Sequence, residues 1–149
     1  MANRTYTTNK RAHFDYELLE TFVAGIVLEG HEVKSVRDKG ASLKGAYVTI
    51  SERGEAWLTN SHISLYKNTA PDADYDPERA RKLLLNKSEI EKLTRARNDK
   101  NVLVALSMYA AGPNIKLSLA VGRPKKLHDK RHTIKKRDAD RDAARFFKP

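Results

Sequence analysis

The chain has 149 residues, 40% of them apolar, with 29 Lys and Arg against 19 Asp and Glu and a formal net charge of +10. This length predicts one domain with a single core, and the absence of cysteine excludes disulfides, thiolate metal sites and cysteine nucleophiles. The basic balance favours nucleic acid over an anionic membrane as partner, and no signal peptide or apolar membrane span is visible, so a soluble cytoplasmic protein is predicted.

The first third of the chain predicts an arm, a strand and a short helix. Residues 1–12, with the basic triplet Asn9-Lys10-Arg11, are predicted to be a mobile arm. The apolar run FVAGIVLEG, residues 22–30, predicts a buried strand with a bend or bulge at Gly25. The segment HEVKSVRDKG, residues 31–40, favours a helix of two to three turns that ends at Gly40.

The rest of the body predicts two hairpins, a long loop and one more helix. AYVTISERGEAWLTN favours a hairpin around Gly54, and the Pro- and Asp-rich stretch up to residue 80 favours an irregular loop. Asn86 or Ser88 is the expected N-cap of a helix to about Arg97, with Ser88 and Glu91 matching a capping box. Residues 102–121 predict a second hairpin, whose last strand alternates apolar residues with Lys116, Ser118 and Ala120.

These elements predict a mainly β fold with short helices, an OB-fold-like antiparallel β-barrel over residues 13–121, followed by a basic tail over residues 122–149. From Arg123 onward there are eleven Lys or Arg and four Asp. The tail has little to bury, so we expect it to be disordered alone and helical when laid along nucleic acid. A disordered tail that only improves solubility is the alternative.

No set of residues predicts catalysis. None of the five histidines has metal-ligand spacing on an apolar helix; His128 and His132 are four apart, but in a lysine-rich segment that would repel a cation. No triad, nucleophile elbow or phosphate-binding loop is present. The chain is therefore predicted not to be an enzyme and to use no cofactor or metal; a ribonuclease built on His and Lys is the enzyme alternative.

Five stretches together resemble one family. NKRAHFDY, AGIVLEGHEVKSVR, NSHISLY, DPERARKLLLNKSEI and GRPKKLHDKRHTIKKRD, in this order and spacing, are similar to SmpB, the small protein B of bacterial trans-translation. The resemblance implies an OB-type barrel that binds the tRNA-like domain of tmRNA and enters ribosomes stalled without a usable codon. It implies that the tail then becomes helical in the empty mRNA channel, so that the decoding centre accepts alanyl-tmRNA, with elongation factor Tu involved indirectly. The runner-up is a general OB-fold RNA-binding or ribosome-associated protein without a tmRNA partner.

Two sets of residues follow. The basic cluster at residues 79–82 predicts phosphate contacts, and with the resemblance it completes a tmRNA-binding set: Asn9, Lys10, Glu32, Lys34, Arg37, Arg81, Lys82, Leu84 and Lys116. For the decoding centre and mRNA channel the resemblance implies Gly122, Lys125, Lys126, His128, Asp129, Lys130, Arg131, Lys135, Lys136, Arg137, Arg141 and Arg145, with His128 stacking on or hydrogen-bonding a nucleotide. The chain departs from the family in having Val23 at a usually acidic position, Arg123-Pro124 before the lysine pair, and a tail that ends in Phe146-Phe147-Lys148-Pro149.

Overall fold

The computed structural model describes residues 4–71 and 74–125. Within these ranges the elements are, in chain order, β1 (Thr5–Thr8), α1 (Ala12–Asp15), β2 (Tyr16–Ile26), α2 (Gly30–Arg37), β3 (Ala41–Ser42), β4 (Tyr47–Ile50), β5 (Ala56–Thr59), β6 (His62–Ile63), β7 (Arg81–Leu84), α3 (Lys87–Asn98), β8 (Val102–Ala111) and β9 (Asn114–Pro124). No helix in the described ranges is long and apolar enough to cross a membrane.

The main sheet returns on itself and forms a small, partly open barrel. Its seven antiparallel strands follow the order β1-β8-β4-β5-β7-β2-β9, and β9 pairs again with β8. The β4–β8 and β2–β7 seams are held by one and two residue pairs, whereas β9 pairs along most of its length with both β2 and β8. β1 adds to the edge of β8, and β3 and β6 form a separate two-stranded sheet. The predicted OB-like barrel is confirmed in this partly open form.

The hairpin of β8 and β9 organises the core because its alternation points one side of each strand inward. Ile115, Leu117 and Leu119 are buried on β9, while Lys116 between them is exposed. The chain reverses at Gly112, whose φ of +61° favours glycine. The other hairpin, β4 with β5, reverses around Gly54 as expected.

Both longer helices begin with a capping box. On α2 the Glu29 side chain caps the first turn, and Glu32 Oε1 accepts a hydrogen bond from the backbone N–H of Glu29. On α3 the cap is Asn86 with Glu89, so the predicted Ser88–Glu91 box is wrong; the Ser88 hydroxyl instead donates to Asn86 Oδ1. α3 ends at Asn98, one residue beyond the prediction.

Three boundaries differ from the sequence prediction. Residues 5–8 are not part of a mobile arm, because β1 pairs with residues 107–109 of β8, and α1 begins four residues after β1 at Ala12. β2 begins at Tyr16, and its irregular pairing lies between Leu18 and Glu20 rather than at Gly25. Only Phe22 and Ala24 of β2 are buried, so the strand is half-exposed and not interior. β9 continues to Pro124, three residues beyond the predicted end of the barrel.

Candidate nucleic-acid interface

The register of three adjacent strands brings Leu84 of β7, Gly25 of β2 and Lys116 of β9 into one outward-facing row. Gly25 is paired with Leu84 on one side and with Lys116 on the other. Leu84 is 57% exposed although it is apolar. A Cβ on Gly25 would lie 3.3 Å from the Leu84 Cβ, so glycine leaves room for the leucine to lie across β2. Tyr109 of β8 extends the row beside Lys116.

A cavity of about 530 Å³ lies beside this row, and we call the row and cavity together the Lys116 surface. The cavity is lined by Gly25, Ile26, Leu28, Val33, Leu84, Pro113, Asn114, Ile115 and Lys116. The Arg37 guanidinium on α2 donates a 2.9 Å hydrogen bond to the Pro113 carbonyl, which ties the β8–β9 turn to the helix. A cationic rim around an apolar floor suits RNA, because phosphates pair with the cations and bases or riboses pack on the floor.

Two further lysines of the predicted set are accessible. Lys82 lies on the outward side of β7, two residues from Leu84, and its Nζ is 3.8 Å from Glu55 Oε1. Lys34 is exposed on α2, with its Nζ 6.0 Å from the centroid of the Tyr66 ring. Arg37, Lys82, Leu84 and Lys116 therefore lie on or beside the Lys116 surface, and Lys34 lies on the helix at its border.

Glu32 and Arg81 do not belong in the RNA-binding set to which the sequence assigns them, because both side chains are 0% exposed. Arg81 Nη2 and Nε lie 2.7 and 3.0 Å from Glu32 Oε2. The other Arg81 nitrogen, Nη1, donates to Ser61 Oγ at 3.2 Å and to the Pro77 carbonyl at 2.9 Å. An arginine whose donors are all used inside the protein cannot contact a phosphate. These two residues support the fold.

The Glu32–Arg81 pair is the centre of a larger cluster with Ser61, Tyr75 and Arg79, which we call the buried Glu32 cluster. Arg79 also pairs with Glu32, and the Tyr75 hydroxyl lies 2.7 Å from the Ile63 carbonyl and 3.1 Å from Glu32 Oε2. Burial raises the pKa of Glu32, but the backbone N–H of Glu29 and the two arginines outweigh it, so the pKa is lower than usual. Burial and the Glu32 charge raise the pKa of Tyr75 to about 12. The cluster thus joins α2, β7 and the loop before β7 through charged groups.

Asn9 and Lys10 lie in a separate region. The Asn9 side chain is buried and donates a 2.9 Å hydrogen bond to the Ala105 carbonyl of β8, so this amide fixes the N-terminal segment rather than facing a ligand. Lys10 and Arg11 beside it are exposed, as is Lys44 across the gap. Two cavities of about 190 and 280 Å³, both lined by Asn9, Arg11 and Lys44, lie between them. They share no lining residue with the cavity of the Lys116 surface.

The predicted decoding residues are mostly beyond the described part of the chain. Gly122 does not belong in the decoding set to which the resemblance assigns it, because it is buried within β9. A Cβ at this position would lie 3.0 Å from both Tyr16 Cβ and Val104 Cγ2. Lys125 is half-buried against α1. The remaining predicted positions lie outside the described residues: Lys126, His128, Asp129, Lys130, Arg131, Lys135, Lys136, Arg137, Arg141 and Arg145.

Sequence reasoning missed three residues of these regions. Lys44 comes from a loop more than thirty residues away along the chain, and Ser61 and Tyr75 join Glu32 only through the fold. One local signal was available: Arg81 shares the inward side of β7 with Leu83, which the period of two along RKLL indicates. In the described ranges, no group of three or more His, Asp or Glu side chains is arranged to hold a metal ion.

Comparison with known proteins identifies the family. The family model described as SmpB protein matches residues 6–149. The SsrA-binding protein of Microcystis aeruginosa is 48% identical over 143 residues, which cover 95% of this chain and 92% of the relative. That of Mesoplasma florum is 44% identical over 149 residues, covering 99% of each chain.

A solved structure agrees with the sequence matches. One chain of the structure described as "tmRNA-SmpB: a journey to the center of the bacterial ribosome" is 40% identical and superposes with a TM-score of 0.67, covering 80% of this chain and 84% of that one. The family model spans nearly the whole sequence, and the structural match covers most of the fold. The chain therefore belongs to the SmpB family.

Proposed function

We propose that the barrel binds the tRNA-like domain of tmRNA and delivers it to ribosomes stalled without a usable codon. The observation that carries this proposal is the Lys116 surface, where Leu84 is 57% exposed in line with the exposed Lys116. The relatives are named SsrA-binding proteins, and the similar solved structure concerns tmRNA-SmpB and the bacterial ribosome. Cytoplasmic location follows from a ribosomal site of action.

On the Lys116 surface the roles divide by chemistry. Lys116 and Arg37 pair with phosphates, and Leu84 packs against a ribose or an unstacked base. Lys82 and Lys34 extend the cationic border. Lys10, held in place through Asn9, provides a second contact with tmRNA backbone in the other region. Sequence-independent contacts of this kind suit an RNA that is recognised by the shape of its elbow.

The segment after the barrel acts on the ribosome in this proposal. Residues 126–149 occupy the empty mRNA channel, where Lys135, Lys136, Arg137, Arg141 and Arg145 pair with phosphates. His128 stacks on or hydrogen-bonds a decoding-centre nucleotide, beside Asp129, Lys130 and Arg131. The protein works as an adaptor without chemistry of its own, because peptide transfer belongs to the ribosome and the alanine is carried by tmRNA. Elongation factor Tu takes part only through alanyl-tmRNA.

A truncation separates the two halves of the proposal. The chain is stopped after Lys125 rather than at the predicted barrel end, because β9 runs to Pro124 and Gly122 is packed in the sheet. Two assays compare it with the full chain: tmRNA binding at 0.15 M salt, and alanine transfer to a nascent chain on a ribosome lacking downstream message. Thermal unfolding controls for the fold. We expect binding to persist and transfer to fall to background.

The other outcomes contradict parts of the proposal. Normal transfer by the truncated chain would show that residues 126–149 are not needed in the mRNA channel. Binding of unrelated structured RNAs as tightly as tmRNA would favour a general RNA-binding protein of the same fold. RNA cleavage that disappears on substitution of a histidine would make the protein a nuclease.

A further inference from the structure

The last described residues fold back onto α1, away from the Lys116 surface. The Lys125 Nζ donates a 2.7 Å hydrogen bond to the His13 carbonyl, and the Lys125 backbone N–H donates to the Asp15 carbonyl at 3.1 Å. Two residues earlier, Arg123 forms an ion pair with Glu17, its partner in the β2–β9 register. These polar contacts hold the end of β9 to the N-terminal part of the protein.

Helix α1 is suited to hold a cation in this position. It has only four residues, and the carbonyls of a helix's last turn have no partner within the helix. A lysine ammonium at that end satisfies such a carbonyl. α1 is itself fixed, because Ala12 is buried and the preceding Asn9 is bonded to β8 through both its backbone and its side chain.

Close packing fixes the register of β9, the strand that leads to Lys125. Gly122 lies so close to Tyr16 and Val104 that even a Cβ would require its neighbours to move. Its register partners are Leu18 on one side and Val102 on the other. The barrel therefore fixes the chain as far as Pro124, the last residue of β9, and the contacts of Lys125 act on the residue that follows.

We propose that Lys125 is a positioning residue: its bonds to α1, supported by the Glu17–Arg123 pair, set the point and direction from which residues 126–149 continue. The resemblance implied instead that Lys125 contacts the decoding centre. This inference rests on the proposed function, because the direction matters only when the barrel holds tmRNA while the following residues reach another site.

The first test uses the full-length Lys125→Met, Lys125→Arg and Lys87→Met proteins. Lys87 is an exposed lysine on α3 and controls for loss of one positive charge. We expect Lys125→Met to lower alanine transfer about five- to tenfold, as for loss of one charge-assisted hydrogen bond. We also expect tmRNA affinity within about twofold of the wild type, since Lys125 lines neither the cavity of the Lys116 surface nor the two cavities beside Lys10. Arginine retains the donor and restores transfer, and Lys87→Met leaves it unchanged.

Amide hydrogen exchange of the free proteins separates positioning from direct contact. With no ribosome present, Lys125→Met accelerates exchange at residues 12–16 and at residue 125 if Lys125 holds the chain on α1. Slower transfer with unchanged exchange would mean that Lys125 touches the ribosome directly, and unchanged transfer would mean that it positions nothing. A matching loss of tmRNA affinity would place it in RNA binding. Each of these overturns the inference, whereas failure of the wild type to bind tmRNA would overturn the proposed function instead.

A charge reversal tests the second contact. Arg123→Glu places two carboxylates in the same register pair, and we expect transfer to fall about threefold for an exposed pair turned repulsive. Adding Glu17→Arg restores the pair with opposite polarity. Recovery of transfer in the double variant supports a positioning contact. If the double variant stays as slow as Arg123→Glu, Arg123 contacts RNA and the supporting pair is excluded.

Discussion

Arg81 and Lys82 are neighbours in the chain and lie in opposite environments. Arg81 points into the barrel and is fully enclosed in the buried Glu32 cluster, while Lys82 points outward near Leu84. Both belong to one basic cluster in the sequence, and only the alternation of β7 separates them. The comparison shows that a cation predicted from the sequence to bind RNA can instead belong to the internal framework of the fold.

The largest expected effect comes from breaking the buried ion pair between Glu32 and Arg81. Glu32→Gln leaves the Arg81 guanidinium buried without its counter-charge, so we expect the free energy of unfolding to fall by about 3–5 kcal/mol. Glu55→Gln removes the surface carboxylate near Lys82 and is the matched control, with an expected change below about 0.5 kcal/mol. Urea unfolding at pH 7 measures both. Equal losses in the two variants would refute the distinction between buried and surface charges.

Acid pH should remove the same stabilisation from the wild type. Because the pKa of Glu32 is lowered in the folded state, its contribution is complete above the ordinary glutamate pKa of about 4.3 and is lost as the pH falls through the lower folded value. We therefore expect the stability difference between wild type and Glu32→Gln to shrink below about pH 4. Urea unfolding of both proteins from pH 7 downward measures this. A constant difference would mean that charge is not what Glu32 contributes.

Substitution of an outward-facing lysine, unlike disruption of the buried Glu32 cluster, should weaken tmRNA binding without lowering stability. Lys116→Met should weaken tmRNA binding about five- to tenfold at 0.15 M salt and reduce the slope of log K against log salt by about 0.7–0.9, as for one phosphate contact. Unfolding should change by less than about 0.5 kcal/mol, because the side chain is exposed. A salt titration of both proteins is the measurement. An unchanged slope would mean that Lys116 does not contact phosphate.

The sequence was sufficient to predict those elements whose structure is determined by a local pattern of residues. The alternation from Ile115 to Leu119 predicts β9 and the outward position of Lys116, and the turn at Gly112 closes the hairpin. The helix predicted after Gly30 and the hairpin around Gly54 also form, although the helix ends at Arg37 with Asp38 as its C-cap rather than at Gly40. These elements bury one side of a regular repeat, so their state is determined by residues close together in the chain.

The sequence predictions fail where contacts between residues far apart in the chain determine the local structure. Thr5–Thr8 has no apolar repeat and becomes a strand only because the edge of β8 pairs with it. Arg81 is buried because Glu32, 49 positions earlier on α2, supplies a buried carboxylate. No local pattern encodes either partner. The roles assigned to Lys126, His128 and the later basic residues stay predictions, since those positions lie outside the described chain.

The smallest effect is expected for substitution of Lys82, which differs from Lys116 in its surroundings although both lysines point outward. Lys82 has Glu55 within 3.8 Å, so part of its charge is already balanced, whereas Lys116 lies beside Gly25 and Tyr109 in the register of the sheet. Lys82→Met should therefore weaken tmRNA binding by only about twofold, as for loss of a partly neutralised surface charge. The double variant Lys82→Met with Glu55→Gln should bind like the wild type to within the same factor. A tenfold loss in Lys82→Met that persists in the double variant would mean that Lys82 leaves Glu55 and pairs with RNA, and the centre of the interface would then lie on β7 rather than on β9.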